Sequence, residues 1–134
     1  MEQQDYLKRQ IDQLARILGK VLTLLPGLNK NGQLTYAYEA SEQIIKTELD
    51  IDIRRLIDMP SDELINFLKS EKYYTNQNLG KLADILFLTA QYATDNDKQS
   101  LYLKSLSVFE YLETAEKTYA IDRQLKIKQI RELL

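Results

Sequence analysis

Between Leu7 and Leu25 an apolar residue recurs every three or four positions, at Leu7, Ile11, Leu14, Leu18, Val21 and Leu25. That interval returns side chains to one face of an α-helix and scatters them over both faces of a strand, whose period is two. Ile17, Leu22 and Leu24 widen the stripe, and a wide stripe belongs to a helix of a globular bundle rather than to a narrow coiled-coil seam. Pro26-Gly27 ends the helix. Self-association through this helix, giving a homodimer, is a further expectation of the pattern.

The helical period continues downstream. Asn29-Lys30-Asn31-Gly32 has the chemistry of a loop, and a second helix is expected from about Gln33 to Leu49 with Leu34, Ala37, Tyr38, Ser41, Ile44, Ile45 and Leu49 on one face. Asp50-Ile51-Asp52-Ile53 alternates as a strand would, but it is too short and solitary to pair, so a short helix from Ile51 to Asp58 is expected instead. Ser61 is placed to cap a helix running to about Glu71, with Asp62 and Glu63 where the helix dipole favours negative charge. The polar run Lys72 to Asn78 reads as the longest linker, separating amino-terminal helices (1–71) from a carboxy-terminal assembly (75–134) within one domain. Three helices follow: 78–94 capped by Thr75 or Asn76, 98–113 capped within Asp95-Asn96-Asp97, and 119–133 capped by Thr118. Ile85-Leu86-Phe87-Leu88 is apolar on every side, which makes the first of these central and buried. The expected fold is an all-α, single-domain helical bundle of about six to seven helices.

Composition narrows the chemistry. The 134 residues contain no His, Cys or Trp, which removes the usual proton shuttle, the thiolate nucleophile and the commonest metal ligands. Four Gly and two Pro leave little for the many tight turns of an all-β fold. The amino terminus, Met1-Glu2-Gln3-Gln4-Asp5, lacks the basic character of a signal peptide, and the greasy stretch Ile17 to Leu28 is too short and too interrupted to span a membrane. A cytoplasmic location without membrane attachment is expected. The net charge of −2 argues against a dedicated nucleic-acid binder. Residues 39–71 hold four basic and nine acidic groups, spread over several elements as solvated helix faces.

No arrangement of the remaining reactive residues points to catalysis. Asp95-Asn96-Asp97 opens like a calcium loop, but Ser100 and Leu106 stand where Gly and Glu are required. Glu39 with Glu42, and Glu110 with Glu113, share helix faces but have no His to complete a di-metal site. The glycines are scattered, so no phosphate loop is present. No metal, cofactor or enzymatic activity is expected. Arg123, Lys126, Lys128 and Arg131 on the last helix offer a basic ridge toward RNA or phosphate, with the polar face of an amphipathic helix as the plainer reading. Nine Tyr against three Phe is the one notable enrichment, since Tyr suits surfaces that a partner covers.

Leu79 to Leu112 resembles a degenerate tetratricopeptide helical hairpin. Leu82-Ala83-Asp84-Ile85-Leu86 opens its first helix, Tyr92-Ala93 lies near that helix's end, and Asp95-Asn96-Asp97 makes the turn. The small residues expected at its tight contacts are replaced by Leu88, Thr89 and Leu101, and no 34-residue repeat recurs upstream. More broadly the chain resembles short bacterial helical proteins of uncharacterised function, through Asp5-Tyr6-Leu7-Lys8-Arg9-Gln10-Ile11 and Leu56-Ile57-Asp58-Met59-Pro60-Ser61. The resemblance implies fold and bacterial origin, and no activity. The expected function is binding of a protein or peptide as an interaction or scaffold module, with Tyr92, Tyr102 and Tyr111 as contacts. Weak nucleic-acid association through the basic ridge and a structural homo-oligomer are the alternatives.

Overall fold

A computed structural model describes residues 2–29 and 32–134. Lys30 and Asn31, in the expected loop, lie outside the described residues. The chain is all-α. Among the described residues there are seven α-helices: α1 Glu2–Leu24, α2 Leu34–Leu49, α3 Ile53–Asp58, α4 Ser61–Ser70, α5 Asn76–Tyr92, α6 Asp95–Ala115 and α7 Ile121–Leu133. A 3₁₀ turn, Leu25–Asn29, follows α1 and carries Pro26-Gly27.

The caps differ from expectation at three places. Pro60, not Ser61, stands at the N-cap of α4, so Ser61 occupies the first helical position, where its hydroxyl caps nothing. α6 begins at Asp95 itself after Thr94. Asp97 therefore sits within the first turn and bonds laterally to α2 and α3. α7 starts after Ala120, and neither Thr118 nor any other side chain caps it. Two caps form as side-chain bonds: Asp52 accepts from the Arg54 amide in α3, and Thr75 accepts from the Asn78 amide in α5. Lys72 to Thr75 is not a free linker, because Tyr74 is buried and its amide donates to the Leu68 carbonyl at 3.0 Å.

One contiguous apolar cluster draws on all seven helices, from Leu18 and Val21 of α1 to Ile127 and Ile130 of α7. At its centre is α5, where Leu79, Leu82, Ala83, Ile85, Leu86 and Ala90 are fully buried. The expectation of a central, apolar-all-round helix holds. A two-residue connection folds α6 back against α5, and Ser105 Oγ donates to the Ala83 carbonyl at 2.7 Å across the hairpin. α1 runs alongside α5 in the same direction, since Asn78 reaches the Ile11 carbonyl, Lys81 that of Ala15 and Tyr92 that of Leu25, each across 66 or 67 residues. On the other side of the hairpin, α7 packs on α6. α1 and α7 thus flank the α5–α6 hairpin, α1 against α5 and α7 against α6.

Candidate functional site: a cleft between α5 and α7

α7 touches α6 closely but stands away from α5, and the gap is a cleft of about 940 Å³. Its α5 wall carries Asn76, Gly80 and Asp84, residues spaced by four and therefore on one helix face. Phe109 and Leu112 of α6 form the floor. Asp122, Leu125, Lys126 and Gln129 of α7 make the far wall. Leu125 is 60% exposed, which leaves an aliphatic side chain facing open space. This volume lies within the range of sites that hold a ligand's apolar groups and fix its orientation with a few polar ones.

Gly80 opens the middle of the cleft. A β-carbon added there would meet only the Leu112 side chain, at an ordinary contact distance of 3.7 Å. Close helix packing therefore does not require glycine, although glycine inside a helix costs roughly 1 kcal/mol relative to alanine. What its hydrogen leaves free is the space above Leu112.

The charged groups around the cleft are unevenly satisfied. Arg123, largely buried with its side chain 11% exposed, donates to Glu113 and, at 2.9 Å, to Glu116 of α6. Gln124 adds a second contact to Glu113. The Lys126 ammonium lies over the Phe87 ring, 4.1 Å from its centre. Asp84 has no ion pair or hydrogen bond among the described residues, and its burial raises its carboxyl above the usual range, an effect that the Lys126 charge only partly offsets. Asn76 Oδ1 is likewise buried without a partner.

The residues singled out from sequence fall elsewhere or play other parts. Tyr92 and Tyr102 are 7% and 5% exposed, so neither presents its ring to a partner. The Tyr92 hydroxyl donates to the Leu25 carbonyl at 2.6 Å, closing the end of α1 onto α5. Tyr102 packs against Phe87 in the core, with ring centres 5.6 Å apart. Tyr111 is half-buried and accepts from the Lys69 ammonium at 2.6 Å, tying α4 to α6. The three tyrosines do not form one groove. Of the basic ridge, Arg123 and Arg131 are paired with acids of α6, the latter with Glu110 at 3.1 Å. Lys126 turns into the cleft and Lys128 is exposed. The acids Glu110 and Glu113, read from sequence as solvated, are the receivers of α7's cations. Among the described residues no cluster of acidic side chains is arranged to hold a metal, and no helix is long and apolar enough to cross a membrane.

Sequence reasoning missed the cleft. A signal available was Gly80, which with Gly19 of α1 is one of two glycines inside strong helix patterns. No family model matches the chain, and no curated protein or solved structure is significantly similar to it.

Proposed function

We propose that the protein is an interaction module whose cleft between α5 and α7 binds a segment of another protein or a peptide. The observation that carries this is the open cleft between α5 and α7, floored by Phe109 and Leu112, with Gly80 at its middle and the exposed Leu125 on its far wall. The role is binding rather than catalysis: the cleft offers apolar floor, an exposed aliphatic side chain and uncompensated acceptors, the elements of recognition. The α5–α6 hairpin with α7 behind it is compatible with a tetratricopeptide-like arrangement, and with that goes a scaffold or adaptor role in a bacterial cytoplasm. The basic-ridge alternative loses ground because Arg123 and Arg131 already have acidic partners.

The test is to fill the cleft. Gly80→Leu places a side chain over Leu112 while leaving the core untouched. Affinity capture from the native cells with wild type and Gly80→Leu side by side should retain a stoichiometric partner on the former and lose it on the latter. Equal capture by a Gly80→Leu protein that melts as the wild type does would place binding elsewhere on the molecule.

A further inference from the structure

The cleft's cations and acceptors are not in the same position. Each lining cation has something to hold inside the molecule: Arg123 has Glu113 and Glu116, Lys126 has the Phe87 ring, and Lys81 reaches the Ala15 carbonyl at 3.5 Å. Two acceptors on the α5 wall have nothing. They are the Asp84 carboxylate and Asn76 Oδ1, eight residues apart on one helix face and hence about 12 Å apart along the axis at 1.5 Å per residue. Between them lies Gly80, above the Leu112 side chain. Across the cleft, Asp122 adds a further exposed carboxylate.

Withdrawing a carboxylate from water without a partner is costly, and a donor that meets it recovers that cost. Asp84 is half-buried on the cleft wall with no hydrogen bond or ion pair among the described residues, and its carboxyl is raised by burial, which the Lys126 charge only partly offsets. The unmet demand of the cleft is therefore for hydrogen-bond donors carrying positive charge, beside an apolar gap. Resting on the reading of the cleft as the binding site, we propose that its occupant is a protein segment that brings a lysine or arginine side chain to Asp84 and an aliphatic side chain into the space over Gly80. The guanidinium or ammonium donates to Asp84, and the aliphatic group lies over Gly80 and meets Leu125. Lys126 acts against this occupant by charge, which sets a second, opposite handle on the same site.

A phage-displayed library of random peptides, selected on the wild type and screened against Gly80→Leu, provides the probe. Peptides that depend on Gly80 should share a basic residue near an aliphatic one. They should bind Asp84→Asn roughly tenfold more weakly, the loss expected when a hydrogen bond to a charged group is removed. They should bind Lys126→Met more tightly. Asp84→Asn is isosteric and removes a buried charge, so it should melt no lower than the wild type, which separates lost recognition from lost folding. Gly80-dependent peptides that lack a basic residue, or that bind Asp84→Asn unchanged, would overturn the assignment of the partner's chemistry and leave the cleft as the binding site. Selection of no peptide, or only of peptides that bind Gly80→Leu equally, would overturn both.

Discussion

Tyr74 shows how a single residue in this chain can be placed for its ring and not for its oxygen. Its side chain is 4% exposed and its hydroxyl has no hydrogen-bond partner. Burial alone accounts for the upward shift of its phenol. An unsatisfied buried hydroxyl costs on the order of 1 kcal/mol or more, so Tyr74→Phe should raise the unfolding free energy by about 1 kcal/mol. A urea titration in which the midpoint rises and the slope is unchanged would report that gain; a fall would mean the oxygen has a partner. Residue scale is also where the sequence was least legible. All nine tyrosines carry the same apolar ring and polar tip. What sorts Tyr92 and Tyr102 into the interior and Tyr36 and Tyr119 onto the surface, at 60% and 71% exposure, is the tertiary position of their helix faces. Periodicity within one helix does not contain that information. Gly80 is the converse case, a residue whose anomaly is visible in sequence but whose meaning needs the neighbouring wall.

At the scale of elements, period and punctuation carried most of the fold. The middle of the α1 stripe, the stop at Pro26-Gly27, most of the α2 face and the all-round apolar α5 follow from side-chain spacing and are reproduced, whereas Leu7, Leu24 and Leu34 are left exposed. The starts of helices were less readable, because several polar residues near each start compete for the cap. Asp97 is the instructive example. It looked like part of a capping turn, and instead it joins three elements: Arg54 of α3 grips its carboxylate with two hydrogen bonds of 2.9 and 2.6 Å, and the Tyr38 hydroxyl of α2 donates to it at 3.1 Å. These bonds, Arg54 first, hold the Asp97 carboxyl below its ordinary range. The unfolded chain therefore takes up this proton more readily than the folded one, and the stabilisation is complete above the ordinary aspartate range and fades as acid approaches the lowered value. Arg54 and Asp97 side chains remain 51% and 27% exposed, so solvent screening keeps the contribution small. Asp97→Asn should cost about 1 kcal/mol near pH 6, with the gap to wild type closing as the pH is lowered to about 3. Urea unfolding of both proteins across that range provides the check. A gap that is constant with pH would assign Asp97 a purely steric role. Glu42, raised first by its own burial and further by the Asp97 charge, titrates differently in the two proteins, so the pair is also compared in a Glu42→Gln background.

For the whole molecule, the sequence yielded the fold class and not the site. An all-α bundle is implied by the period of nearly every segment. The cleft arises from how α7 seats on the α5–α6 hairpin, a seating held by contacts between elements: Arg131 with Glu110, Arg123 with Glu113 and Glu116, and Lys126 over Phe87. The charged residues among these read as solvated surface when taken alone. The ion pairs anchor α7 on α6, Lys126 touches α5 at Phe87, and the rest of the α5 side stays open, with Leu125 exposed toward it. The first turns of α1 are another uncovered surface, with Tyr6 62% and Leu7 40% exposed. The two surfaces make competing claims on a partner, and one measurement separates them. Hydrogen–deuterium exchange, read by mass spectrometry on the protein with and without the partner it retains from native cells, should show slowed exchange in Asn76–Asp84 and Ile121–Gln129. Slowing confined to Gln3–Gln10, with α5 and α7 exchanging as in the free protein, would contradict the assignment of the cleft as the binding site.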